Sequence, residues 1–226
     1  MTKNFLCAAF AGASILAFTT SSYAADSWYV SGGAGLSMLA DSEITDTEGA
    51  EQRRGKISHE NGFAMTGAIG KTFGDFRLEG ELSYRKNDLD TLTFTSATID
   101  GQTRAVSQSG KLTGDLASLA FMGNAYYDLN NNSAWTPFVI AGVGMAHHTL
   151  NIDSLSGEAQ NYDESDTVFA YQIGAGVGYS VTEKDKVTLQ YRLLGSADAT
   201  FDNGTDKIEG DYMNHSIMVG FTHSFP

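Results

Sequence analysis

From Trp28 onward the chain alternates apolar and polar residues with a period of two, and no stretch follows the 3.6-residue period of an amphipathic helix. The alternation is clearest in 76–85, where apolar side chains are interleaved with Arg77, Glu79, Glu81 and Arg85. This pattern predicts an all-β fold. The predicted strands are the eight segments 28–39, 62–73, 76–85, 118–129, 136–147, 169–180, 187–194 and 216–225.

The connections between these strands alternate in length. Short turns join strands two and three, four and five, and six and seven, whereas the other connections are long and polar, at 40–61, 87–112, 148–167 and 198–211. Such alternation is expected when hairpins protrude from one side of a membrane barrel. The sequence therefore predicts an eight-stranded antiparallel transmembrane up-and-down barrel, with both termini on the short-turn, periplasmic side.

The polarity of the two strand faces distinguishes a membrane barrel from a soluble one. A soluble barrel has an apolar interior, whereas a membrane barrel turns its apolar face to lipid. Gly142 and Gly144 share a face with Ala146, and Gly174, Gly176 and Gly178 share one with Gln172. We interpret these glycines as space for long side chains in a narrow, polar lumen. Aromatic residues gather at the strand ends, as expected of two interfacial girdles: Trp28, Phe73, Phe76, Trp135, Tyr179 and Phe225 at one end, and Phe63, Tyr84, Phe169, Tyr171 and Tyr212 at the other.

The first 24 residues have the order of a secretory signal peptide. Lys3 precedes an apolar stretch over 5–18, and Ser22-Tyr23-Ala24 fits a cleavage site. A membrane anchor is a weaker interpretation, because the stretch is shorter than the ~20 residues a spanning helix needs. We predict a cleaved segment 1–24 and a barrel domain over 25–226. The formal net charge of −13 argues against a nucleic-acid partner, which calls for Lys- and Arg-rich surfaces.

Several motifs resemble one family. They are FRLEGELSYR (76–85), NAYYD (124–128), TPFVIAGVGM (136–145) and YQIGAGVGY (171–179). They resemble the eight-stranded outer-membrane barrels of Gram-negative bacteria, which include OmpA-like domains, opacity-type adhesins and "porin family" surface antigens of alphaproteobacteria. The last strand, with Phe221 and Phe225, resembles the carboxy-terminal signal of that family. The resemblance implies export through the periplasm to the outer membrane, with the barrel-assembly machinery, membrane lipids and lipopolysaccharide as partners.

Charged residues on the lumen face form the best-defined candidate site. Arg77, Glu79, Glu81 and Arg85 lie on the third strand, and Arg192 lies on the seventh, roughly opposite in an eight-strand ring. Unpaired charges in a narrow interior are costly. We therefore expect Glu79 and Glu81 to pair with Arg192 and Arg77 and to plug the lumen. The resemblance to OmpA-like barrels implies a gate, and lumen filling alone is the alternative.

The sequence offers little support for an enzyme or a metal site. His147 and His148 are adjacent on a strand, so they point to opposite faces and cannot form one metal site unaided. His215 and His223 share the lipid-facing side of the last strand, as interfacial residues do. No G-x-S-x-G elbow is present. We expect no cofactor, and an outer-membrane lipid-modifying enzyme is the third of three hypotheses.

The long loops carry much of the negative charge. Residues 148–167, for example, contain Asp153, Glu158 and Asp163 and no Lys or Arg. Solvated surface loops account for this charge, and two functional alternatives are divalent-cation bridging to lipopolysaccharide phosphates and recognition of a host or phage surface. The leading hypothesis is a non-enzymatic surface antigen, adhesin or membrane-structural protein acting through four long, acidic extracellular loops. The second is a narrow pore.

Overall fold

A computed structural model describes residues 27–48, 51–99, 101–129, 131, 133–202 and 206–225. The predicted signal segment 1–24 lies outside these residues. No helix in the described part is long and apolar enough to cross a membrane. The strands are β1 (Trp28–Leu39), β2 (Ser42–Glu48), β3 (Glu51–His59), β4 (Gly62–Phe73), β5 (Phe76–Ile99), β6 (Gln102–Asp128), β7 (Trp135–Leu155), β8 (Glu158–Ser180), β9 (Asp185–Ser196), β10 (Ala199–Asp202), β11 (Asp206–Gly210) and β12 (Met213–Ser224).

Eight strands pair edge to edge and close on themselves. The order is β1-β4-β5-β6-β7-β8-β9-β12, every pairing is antiparallel, and β12 pairs back to β1 from Tyr29↔Ser224 to Leu39↔Asn214. Because the ring has no open edge, each ring strand has a hydrogen-bonding neighbour on both sides, as a membrane-spanning sheet requires. The all-β antiparallel fold predicted from the alternation is confirmed.

The two faces of the ring have the predicted polarity. Outward side chains in the membrane-facing part are apolar and exposed, such as Leu36 at 60% and Phe121 at 67%, whereas inward Glu81 and Arg85 are at most 1% exposed. Aromatic pairs mark both ends of this part, with Trp135 and Tyr179 at 4.8 Å and Phe63 and Tyr84 at 5.8 Å between ring centroids. Tyr212 was predicted for the outer girdle, but it points inward and is buried.

The long connections predicted as loops are largely β-structure. β5 continues to Ile99 and β6 begins at Gln102, while β7 and β8 extend their hairpin to Leu155 and Glu158. The first and last long connections form the hairpins β2–β3 and β10–β11. We call the described residues of 40–61, 87–112, 148–167 and 198–211 the cap, which lies at the end of the barrel opposite Trp28 at the start of β1 and Ser224 at the end of β12.

The cap strands form a second sheet that continues the wall of the barrel. Its order is β10-β11-β2-β3-β5, and β5 belongs to both sheets. Side chains connect its far edge to β8, because the Tyr162 hydroxyl donates to the Phe201 carbonyl at 2.8 Å and the Thr200 N–H donates to Asp166 Oδ2 at 2.7 Å. The cap is therefore rolled around the barrel axis.

The cap encloses a hydrophobic core, so the polarity of the two faces reverses along the strands. On β7 the outward side chains are apolar at Val143 and Met145 and become polar at Asn151 and Asp153 in the cap. The inward side chain of Leu150, also in the cap, is apolar and buried. Below the cap lipid is outside and the lumen is polar, whereas in the cap water is outside and the interior is apolar. The buried apolar residues of the cap and its junction with the barrel include Leu39, Ile44, Ile57, Leu89, Leu92, Leu112, Leu116, Leu150, Phe201 and Tyr212.

Candidate functional site: the lumen and its junction with the cap

An ion pair crosses the centre of the lumen. Arg192 on β9 donates through Nη1 to Glu81 on β5, and these two strands are four positions apart in the eight-strand ring. Both side chains are at most 4% exposed. The carboxylate of Glu81 also accepts hydrogen bonds from the side-chain amides of Asn124 at 3.2 Å and Gln172 at 3.4 Å. Arg192 Nη2 donates to the Tyr126 hydroxyl at 2.9 Å. The sequence expectation placed these two charges opposite each other, and the structure brings them together.

Arg77 has a different partner from the expected one. Its Nε and Nη2 donate to the two carboxylate oxygens of Asp128 at 3.0 and 2.9 Å. The guanidinium also lies over the rings of Tyr126 at 4.2 Å and Phe138 at 5.4 Å, where cation–π attraction adds to the pair. The expected pairing of Arg77 with a glutamate of β5 is therefore wrong. Asp128 shares the inward face of β6 with Tyr126. The alternation of polar and apolar residues is therefore sufficient to predict that Asp128 points into the lumen.

Glu79 is held by hydroxyl groups. Tyr126 donates to its Oε1 at 2.8 Å, and Ser31 on β1 donates to its Oε2 at 3.1 Å. The Tyr126 hydroxyl thus stands between Arg192 and Glu79, accepting from the first and donating to the second. This chain satisfies a buried carboxylate without direct pairing and connects three strands through the lumen.

Arg85 completes the predicted set of lumen charges but has no carboxylate partner in the described residues. It is 1% exposed, and its Nη1 donates to the Ser83 hydroxyl at 2.9 Å. Its Nε and Nη2 meet no acceptor among the described residues. Of the five predicted residues Arg77, Glu79, Glu81, Arg85 and Arg192, the structure places all five in the interior and pairs Glu81 with Arg192.

Inward glycines leave room for these side chains. A Cβ at Gly142 would collide with the Asn124 side chain, and one at Gly176 would lie 2.6 Å from Phe138 Cζ. The interpretation of these glycines as lumen space therefore agrees with the geometry. It does not extend to every glycine, because a Cβ at outward-facing Gly80 would meet nothing within 4 Å.

A buried polar cluster that the sequence reasoning missed joins three strands below the cap. Ser37 on β1 donates to Asn87 Oδ1 at 2.7 Å, and Asn214 on β12 donates to Ser37 Oγ at 2.8 Å. The Asn87 amide also donates to the carbonyl of Glu60 at 3.0 Å. The cluster fixes the first cap hairpin to the barrel rim. Single Asn and Ser residues spread along the chain give no local signal of it.

The histidines occupy the predicted faces. His215 and His223 point outward and contact Tyr191 at 2.5 Å and Asp185 at 2.7 Å. His147 also points outward, whereas His148 is buried with its ring 4.3 Å from that of Tyr212. The described residues contain no group of three or more His, Cys, Asp or Glu that could hold a metal ion.

Comparison with known proteins gives the same fold and a family. The outer membrane protein PagN of Salmonella typhimurium is 28% identical over 121 residues, which are 46% of this chain and 48% of PagN, so the chain spans about half the length of that curated relative. The crystal structure of Neisserial surface protein A matches with a TM-score of 0.54 at 15% identity, over 88% of this chain and 97% of that one. The crystal structure of the outer membrane protein OprG from Pseudomonas aeruginosa has a TM-score of 0.49 at 16% sequence identity, over 90% of this chain and 97% of that one.

The family model described as "Outer membrane protein beta-barrel domain" matches residues 5–225. That span includes every strand of the ring and the whole cap. Together with the apolar outer face of the ring, it establishes the bacterial outer membrane as the location of the protein. The chain belongs to the outer membrane protein β-barrel domain family.

Proposed function

We propose that this protein is a non-enzymatic surface protein that binds ligands through its cap, with the barrel as membrane anchor. The observation that carries the proposal is the folded state of the cap. Its strands form a second sheet around a hydrophobic core, so they hold their outward side chains in fixed positions. A preorganised surface loses less conformational entropy on binding than mobile loops do.

The chemistry of the cap surface indicates a cationic ligand. Asp153, Glu158 and Asp163 on the β7–β8 hairpin are all exposed, and no Lys or Arg lies in 148–167. Elsewhere in the cap the charge is partly compensated, for example where Lys56 pairs with Asp41 at 3.0 Å. The uncompensated hairpin is therefore the part of the surface that attracts a basic protein surface, or a divalent cation that bridges to lipopolysaccharide phosphates.

Neutralising this hairpin tests the proposal. The triple variant Asp153→Asn, Glu158→Gln, Asp163→Asn should assemble normally and reduce adhesion of expressing bacteria to host cells. The control Asp75→Asn, Glu183→Gln removes exposed charge from the turns at the opposite end and should adhere like wild type. Unchanged adhesion of the triple variant at equal surface level contradicts the proposal. Repeating the assay with a chelator separates the cation-bridged mode, which is lost, from direct contact, which is kept.

The narrow-pore alternative has less support. The Arg192–Glu81 pair crosses the lumen, and the apolar core of the cap lies above it on the same axis. A conducting path needs both obstacles to move. Single-channel recordings of the purified protein test this alternative, which requires discrete conductance that changes on replacement of Arg192. A lipid-modifying enzyme is tested by lipid A mass spectra from a deletion strain, which we expect to match wild type.

A further inference from the structure

The mouth of the barrel opposite the cap contains a polar cavity of about 430 Å³. Its walls come from the ends of the ring strands and from the turn 181–184 between β8 and β9. A cavity of this volume admits a small organic solute. The residues that line it include Tyr29, Thr72, Arg77, Asp128, Ser180, Lys186 and Thr222.

The Arg77–Asp128 pair forms the inner end of this cavity. Arg77 donates to both carboxylate oxygens of Asp128, and its guanidinium lies against the rings of Tyr126 and Phe138. The cavity on the other side of Arg77 measures only about 20 Å³. A solute larger than a water molecule is therefore held on the mouth side of this pair.

Lys186 on β9 supplies an ammonium group to the cavity. Its stem packs over Gly178, where an added Cβ would lie 2.5 Å from Lys186 Cδ. Its Nζ is 4.0 Å from Asp128 Oδ2, which is beyond hydrogen-bond distance. The side chain is 27% exposed, so it is shielded but still reachable. Among the described residues it makes no hydrogen bond through its ammonium, whose three donors are available to a ligand.

Two hydroxyl groups flank Lys186 on the inward face of the barrel. Lys186 is paired with Ser180 on β8 and with Thr222 on β12. Residues directly opposite each other on neighbouring strands have Cβ atoms about 4.5–5.5 Å apart. Neither hydroxyl bonds to another residue in the part of the chain that the structure describes. One wall of the cavity therefore presents an ammonium between two hydroxyls.

The local charge indicates which class of ligand fits this wall. Lys186 interacts electrostatically with Asp128 and Arg77, so two cations share one carboxylate at the inner end of the cavity. Because Arg77 occupies both oxygens of Asp128, the ammonium of Lys186 is the under-compensated charge. A carboxylate group supplies one negative charge, whereas a phosphate monoester carries about −1.5 to −2.

Other carboxylates at this end of the barrel are directed elsewhere. Glu79 lies deeper in the lumen and accepts from two hydroxyl groups. Asp185 at the rim bonds to an imidazole and to a hydroxyl. Glu183, also at the rim, is exposed to water, where its charge is screened. These rim carboxylates disfavour a multiply charged anion more than a singly charged one.

We propose that Lys186, Ser180 and Thr222 bind the carboxylate group of a small solute that enters from the periplasmic side. The ammonium pairs with the carboxylate, and the two hydroxyls donate hydrogen bonds to its oxygens. The remainder of the solute extends toward the mouth of the barrel. This site lies at the opposite end of the molecule from the cap and does not depend on the function proposed for the cap.

Titration with acetate tests the site. The refolded, isotope-labelled protein in non-ionic micelles is titrated with sodium acetate at constant ionic strength, and the amide chemical shifts of 180–186 and 222 are followed. The wild type should show saturable shifts. Lys186→Gln should weaken acetate binding at least tenfold, because a charge-assisted hydrogen bond is lost.

Lys71→Gln is the matched control. Lys71 lies at the same end of the barrel but on its outer face, with its Nζ 5.0 Å from the centre of the Phe73 ring. The substitution changes the net charge by the same amount as Lys186→Gln and should leave acetate binding unchanged. Thr222→Val keeps the charge and nearly the same volume, and it should weaken acetate binding about tenfold through the lost hydroxyl.

Three results would overturn the proposal. They are shifts that grow linearly with acetate without saturation, an acetate affinity that Lys186→Gln leaves unchanged, and inorganic phosphate binding as tightly as acetate, which would indicate a general anion site. Should Lys186→Gln fail to fold, Thr222→Val decides the question, and wild-type affinity in that variant would equally overturn the site.

Discussion

Arg192 and Glu81 form a buried ion pair between β9 and β5, which lie diametrically opposite each other in the ring. Both charges are removed from water, so salt does not screen their attraction as it would at a surface. Tyr126, Asn124 and Gln172 supply further hydrogen bonds, which are needed to offset the cost of burying both ions. The pair therefore acts as a brace across the barrel.

Removing one member of this pair should destabilise the barrel strongly. In Glu81→Leu the guanidinium of Arg192 stays buried without its counter-charge, and we expect the free energy of unfolding to fall by about 3–5 kcal/mol. Urea titration of the refolded protein in micelles measures it. The double variant Glu81→Leu, Arg192→Met should recover most of the loss, because no charge is left unpaired. A loss under about 1 kcal/mol in the single variant would contradict the bracing role.

The lumen illustrates what alternation can and cannot predict. Lipid and lumen impose opposite polarity on successive residues, so the inward direction of Arg77, Glu81 and Arg192 followed from the period of two. Which inward residues meet depends on strand stagger, and alternation contains no information about stagger. For that reason the partner of Arg77 was wrong, although Asp128 was already on the correct face.

The cap strands lie in segments that the sequence predicts as loops, and the reason for this difference is local. Its inward apolar residues are separated by Thr, Ser and Gly, and the register shift between Asp88 and Thr91 moves the inward position from Leu89 to Leu92. This β-bulge breaks the period of two at the point where the strand leaves the membrane. The sheet between the first and last long connections depends on contacts distant in sequence, which local pattern cannot reveal.

We expect that the cap can be destabilised while the barrel stays folded. Phe201 on β10 is 5% exposed and packs in the cap core. Phe201→Ala leaves a cavity there and should lower the local stability of the cap by about 3–5 kcal/mol, while the barrel stays folded. Hydrogen exchange in 42–59 and 199–210 should accelerate, with unchanged heat-modifiability on gels. Val106→Ala, at a position 36% exposed on β6, is the control and should leave exchange unchanged.

The end of β12 should control assembly more than stability. Phe225 is 42% exposed on the outer surface, and its N–H donates to the carbonyl of Trp28 at 2.7 Å. Phe225→Ser should reduce the amount of protein in the outer membrane and leave the unfolding midpoint of the refolded protein nearly unchanged, because a serine keeps the backbone bond. Phe169→Ser on β8 removes a similarly exposed aromatic ring and controls for lost lipid contact. Equal outer-membrane levels of the two variants would argue against an assembly signal at Phe225.

Acid should loosen the first cap hairpin through His59 at the end of β3. Burial disfavours the charged imidazole and lowers its pKa from 6.5 to about 4, although Asp41 and Asp211 oppose this effect. Between these two pKa values the unfolded segment binds more protons than the folded one. The contribution of neutral His59 is therefore complete above about pH 6.5 and is lost as the pH falls toward 4.

Hydrogen exchange measures this effect where it arises. After correction for intrinsic exchange rates, amides of 42–59 should exchange roughly five- to tenfold faster at pH 5 than at pH 7.5. His59 is only half-buried, so solvent reduces the cost of charging it and the acceleration is smaller than the full pKa difference alone would give. His59→Gln should remove most of this pH dependence. His147→Gln should retain it, because His147 is exposed on β7 and bonds to Thr167 at 2.8 Å. Equal pH dependence in wild type and His59→Gln would exclude His59 as the titrating group.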